Sequence, residues 1–104
     1  MKSNKIHITY GSMGSDCTSK YYINFPQGMT VGEFINEQLA DESEWGYFGI
    51  YDPNQYWFEP GNPYCEYRKG KITSKSFTDE ILNSVIKKVE GSGGWSRSDF
   101  KFVI

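Results

Sequence analysis

His7 is the only histidine of the chain, so any general base of the imidazole type rests on it alone. A general base needs a partner within hydrogen-bond reach, and no neighbour in the sequence supplies one. The two cysteines, Cys17 and Cys65, are far apart and neither belongs to a C-x-x-C pair, so zinc ligation has no support. A reactive thiol needs a cation or a helix start beside it. Cys17 instead follows Asp16, and Cys65 lies between Tyr64 and Glu66. Both are read as thiols in a reducing compartment, although the sequence leaves open whether they pair. Glu33, Glu37, Asp41, Glu42 and Glu44 are spaced as a solvated face rather than as an acid–base pair. Residues 11–15 (Gly-Ser-Met-Gly-Ser) follow a strand as phosphate loops do. They lack the Lys-Ser/Thr ending and the helix that such loops feed, and are read as a turn. No catalytic, cofactor-binding or metal-binding residue is assigned, and an enzyme is the less favoured reading.

The unusual chemistry is aromatic. Residues 45–67 hold Trp45, Tyr47, Phe48, Tyr51, Tyr56, Trp57, Phe58, Tyr64 and Tyr67, nine rings in twenty-three residues, divided by Pro53, Pro60 and Pro63. About half of these rings belong in a core. Tyr51, Tyr56, Trp57, Phe58 and Tyr64 flank the proline turns and are the candidates for contact with a partner. Exposed Trp and Tyr give large rigid area at small entropic cost. Arg68, Lys69, Lys71 and Lys75 lie nearby. Aromatic rings beside cations can hold single-stranded nucleic acid, but Tyr67-Arg68-Lys69-Gly70-Lys71 does not match the RNA-recognition motif, and a solvated hairpin tip is the better reading.

The elements that position these residues follow from periodicity. Ile6, Ile8 and Tyr10 alternate with His7 and Thr9, and Tyr21, Ile23 and Phe25 alternate with Tyr22 and Asn24, which reads as a hairpin closed by the Gly/Ser loop. Thr30 and Glu33 have capping-box spacing, and Val31, Phe34, Ile35 and Leu39 form an apolar stripe, so a helix is expected from Thr30 to about Ala40. Trp45–Tyr51 is a third strand, its Gly46 and Gly49 pointing to a bulge or a close backbone approach. Tyr56–Glu59 fits a strand or a loop. Tyr64–Lys69 and Lys71–Thr73 are joined at Gly70. A second helix is expected from Ser76 or Thr78, with Asp79 and Glu80 at its positive end, a stripe of Ile81, Leu82, Val85, Ile86 and Val89, and a stop at Gly91. Gly91-Ser92-Gly93-Gly94 reads as a flexible link and Asp99–Ile104 as the last strand.

The resulting order, ββαββαβ, implies one α+β domain over residues 1–104: a two-layer sandwich with a mixed sheet and both helices on one face. The hairpin followed by Met29-Thr30-Val31-Gly32-Glu33-Phe34-Ile35 resembles, over residues 4–51, the opening of β-grasp (ubiquitin-like) domains. The alternative is a ferredoxin-like order over residues 20–104 with an extra first strand. Ubiquitin-like modifiers end on an exposed Gly-Gly, whereas here Gly93-Gly94 precedes a patterned strand, so conjugation is not expected.

A chain of 104 residues buries a core without metal or disulfide help. Its formal charge of −2 disfavours a nucleic-acid partner. No stretch has the ~20 apolar residues of a membrane span, and residues 1–10 lack the apolar region of a secretory signal, so a cytoplasmic location is expected. The sequence thus predicts a non-enzymatic protein-interaction module, contacting a protein partner or itself through residues 45–67 or a sheet edge. The first alternative is a small ligand-binding protein or enzyme with a pocket near Trp57. The second is weak nucleic-acid binding through Arg68, Lys69 and Lys71.

Overall fold

Thr30 starts the first helix as its spacing to Glu33 requires. Its hydroxyl accepts the Glu33 amide at 3.2 Å, and the Glu33 carboxylate accepts the Thr30 amide at 3.1 Å. The helix α1, Val31–Gln38, then turns Val31, Phe34, Ile35 and Gln38 inward. In this computed structural model the described residues are 6–13, 19–39, 44–55, 61–93 and 96–104. The strands are β1 His7–Met13, β2 Ser19–Asn24, β3 Trp45–Ile50, β4 Tyr64–Arg68, β5 Lys71–Lys75, β6 Lys88–Gly93 and β7 Arg97–Val103, and a short second helix, α2, spans Asp79–Leu82.

Among the described residues the strands form one seven-stranded sheet in the order β1-β2-β6-β7-β3-β4-β5. Every pairing is antiparallel except that of β3 with β7. The chain is therefore a small α+β domain with a mixed sheet and two helices. Phe48, Phe100 and Phe102 are fully buried on one side of the sheet, beneath Phe34 of α1, whose ring stands edge-on to Phe102 at 5.2 Å and to Phe100 at 5.6 Å. Phe77, Ile86, Val89, Cys65 and Tyr67 complete this core. Burying each such side chain contributes about 1.5–3 kcal/mol. Cys65 is a free, buried thiol; Cys17 lies outside the described residues.

The expected order ββαββαβ is corrected to ββαβββαββ. The long second helix is not formed. Thr78 caps α2 as expected, accepting the Ile81 amide at 3.2 Å, but the helix ends after Leu82. The next residues pair with the start of α1 instead: Ser84 O accepts from Val31 N at 3.0 Å, and Ile86 N donates to Met29 O at 2.9 Å. Val85 is consequently 54% exposed, while Ile86 and Val89 are buried. Of the segment read as a Gly/Ser link, Gly94 lies outside the described residues, and Gly91, Ser92 and Gly93 belong to the inner strand β6. Its glycines admit β2: a Cβ on Gly91 would lie 2.7 Å from Ile23 Cδ1, and one on Gly93 would lie 1.9 Å from the Tyr21 hydroxyl oxygen. The turn expected from Gly11 begins later, since β1 runs to Met13. The candidate strand Tyr56–Glu59 falls outside the described residues.

Gly46 shows the close approach anticipated for it. A Cβ there would sit 1.7 Å from Ser98 O, which also accepts a hydrogen bond from the Tyr67 hydroxyl at 3.0 Å. The β4–β5 turn is built from Lys69 (φ 51°) and Gly70 (φ 79°), the left-handed pair that a two-residue hairpin demands.

Candidate functional site

Alternation along the strands sends every second residue to the side of the sheet opposite the helices. In β7 the odd-numbered Arg97, Asp99, Lys101 and Val103 lie there, each half-buried, while Ser98, Phe100 and Phe102 are buried beneath. In β3 the same side carries Trp45 and Tyr47, and in β4 it carries Tyr64, Glu66 and Arg68. The register aligns these residues in rows across the strands. One row runs Lys20, Ser92, Asp99, Tyr47, Glu66; the next runs Arg97, Trp45, Arg68, Lys71.

These rows hold an aromatic and cationic cluster. Trp45 and Tyr47 meet edge to face at 5.9 Å, and Tyr47 and Tyr64 do so at 5.7 Å. The Arg97 guanidinium carbon stands 4.8 Å from each of the Trp45 and Tyr47 ring centres, and that of Arg68 stands 5.5 Å from Trp45. Contacts of this kind contribute about 0.5–1 kcal/mol each at exposed positions. The Arg97 Nε donates to both Asp99 carboxylate oxygens at 2.9 Å, with its Nη2 2.8 Å from Oδ2. Burial pushes the Asp99 carboxyl above its ordinary value of 3.8, outweighing the opposing pull of Arg97. Arg68 is held by Glu66 at 2.9 Å.

The charge of this side differs from that of the chain. Among the described residues it carries Lys20, Arg68, Lys71, Lys88, Arg97 and Lys101 against Glu66, Glu90 and Asp99. The chain as a whole has eleven Lys and Arg against thirteen Asp and Glu, and the other described residues hold three cations (Lys69, Lys75, Lys87) against six anions (Glu33, Glu37, Glu44, Asp52, Asp79, Glu80). A surplus of three positive charges on one face of an acidic protein sets up a directional field.

Of the residues expected to contact a partner, Tyr64 joins the cluster and Tyr51 is 40% exposed at the end of β3. Tyr56, Trp57 and Phe58 lie outside the described residues, as does a pocket beside Trp57. Arg68 and Lys71 flank the β4–β5 turn, and Lys69 is exposed within it. His7 is exposed on β1, opposite Asn24. Glu33, Glu37 and Glu44 are exposed; Asp41 and Glu42 are outside the described residues. Sequence reasoning missed Trp45, Tyr47, Arg97 and Asp99 as members of one site. The last strand was expected over Asp99–Ile104, which leaves out Arg97, and nothing local announced that it runs parallel beside Trp45 and Tyr47. Among the described residues no group of His, Cys, Asp and Glu could hold a metal ion, and no helix is long and apolar enough to cross a membrane. No family model, curated protein or solved structure matches the chain.

Proposed function

We propose that this chain is a non-enzymatic protein-interaction module whose contact surface is the helix-free face of the sheet, centred on the aromatic residues 45–67, and that its partner presents an acidic segment. The observation that carries this reading is the Trp45–Tyr47–Tyr64 cluster set among a surplus of cations. Rigid aromatics and arginine are the side chains on which interface energy concentrates, and a cationic surface speeds encounter with an acidic partner.

A single-stranded nucleic acid would use the same residue types but needs flat ring faces on which bases stack. Here the rings are tilted 77° and 67° to one another, and guanidinium groups lie over Trp45 and Tyr47. That geometry favours a protein segment. The accompanying fold reading is β-grasp-like. It rests on the opening hairpin and capped helix of residues 4–51, and the antiparallel β1–β2 pairing and the capping box of α1 support it.

The test is an array of short peptides graded in net charge, read with the wild-type protein and with Tyr64→Ala and Arg68→Ala, whose folding is checked by circular dichroism. Binding is expected to strengthen with negative charge and to weaken about ten-fold in each variant. Binding indifferent to peptide charge and to both substitutions would overturn the reading. Tighter binding of single-stranded RNA than of any peptide would replace the partner class.

A further inference from the structure

The small side chain of Ser92 leaves a depression in the same face, beside the aromatic cluster. It lies in register between Lys20 of β2 and Asp99 of β7. The groove it floors has a volume of ≈ 450 Å³ and is walled by Tyr22, Lys88, Glu90 and Lys101. Tyr22 is 63% exposed, the most exposed large ring among the described residues. Both carboxylates at this groove already face cations: Glu90 is 3.4 Å from Lys88, and Asp99 holds Arg97. Counting Arg97 with Lys20, Lys88 and Lys101 against Glu90 and Asp99, the groove and its immediate partners carry a formal surplus of two positive charges.

Resting on the reading above, we propose that this groove is a phosphate-monoester site that takes a phosphorylated tyrosine of the bound protein segment. A phosphate monoester carries about −1.5 to −2 charge at neutral pH and matches the surplus, whereas a carboxylate matches half of it. The Ser92 hydroxyl supplies a donor at the floor, and the Tyr22 ring supplies a flat wall for the aromatic part of the ligand. Lys20 and Tyr47 stand in one row three strands apart, about 15 Å at ordinary strand spacing. An extended segment of about five residues spans that distance, so one peptide covers both the groove and the aromatic cluster.

The experiment uses the full chain labelled with nitrogen-15. It is titrated separately with an acidic peptide, the same peptide carrying one phosphotyrosine, inorganic phosphate, and a 5′-phosphorylated oligonucleotide. The phosphopeptide is expected to bind about ten-fold more tightly than its unmodified form and to shift the amides of Lys20, Ser92 and Lys101. Lys20→Gln and Lys101→Gln should each remove most of that gain. Equal affinity for the two peptides, with the Tyr64→Ala effect retained, would overturn the phosphate site and leave the face reading standing. Groove shifts from phosphate alone, with neither peptide binding, would sink the face reading and with it the phosphotyrosine assignment. Tighter binding of the oligonucleotide than of the phosphopeptide would overturn the protein source of the phosphate.

Discussion

Arg97 is the residue on which the helix-free face turns, because it touches two rings and a carboxylate at once. A guanidinium so held is oriented before any partner arrives, which lowers the entropic loss on binding. A double-mutant cycle of Arg97→Ala and Trp45→Ala, measured by urea unfolding, should give a coupling of about 0.5–1 kcal/mol. Zero coupling would mean that the contact adds nothing beyond its surface area. Asp99 makes a separate prediction about pH. Its carboxyl titrates above the ordinary value in the folded protein, so in the window between the unfolded and folded values the folded state binds more protons. Stability therefore falls as pH rises through that window, and the loss is complete above it. In Asp99→Asn this fall should vanish, which urea midpoints measured from about pH 3.5 upwards would reveal. An unchanged pH profile in the variant would assign the titration to another group.

At the scale of elements, the readable parts were those whose signal is local. The capping box of α1, the alternation of β1, β2 and β7 and the Gly70 turn all rest on neighbours in sequence, and all formed. The second helix was over-read because Ile81, Leu82, Val85, Ile86 and Val89 satisfy a helical period while the pairing of Ser84 and Ile86 with Met29 and Val31 is a long-range event. Strand β6 was misread for the same reason. Its glycines mark the room needed by Tyr21 and Ile23 across the sheet, and glycines that serve close packing look like glycines that serve flexibility. The helix-free face was half legible: the aromatic wealth of residues 45–67 was plain, but the parallel pairing that brings Arg97 and Asp99 to it was not. Two substitutions test the elements. Thr30→Ala should cost about 1 kcal/mol through the lost cap. Gly46→Ala should cost about 3 kcal/mol or more, because the new carbon collides with backbone at Ser98 that cannot move without parting β3 from β7. A thermal melt of Gly46→Ala matching that of the wild type would refute the packing argument.

At the scale of the molecule, the charge of the described residues is divided between a cationic sheet face and an acidic remainder, so association through that face should weaken with ionic strength as surface charges are screened. Binding of an acidic peptide unchanged between low salt and about 0.5 M salt would contradict this division of charge. The strand order has a further consequence. β1, β2 and β6 form one group of strands and β3, β4 and β5 another, and among the described residues the only strand hydrogen-bonded to both groups is β7. The two groups of strands are therefore joined into one sheet only when residues 97–103 insert between them. Until β7 takes its place, β3 and β6 each present a bare edge open to pairing with another strand.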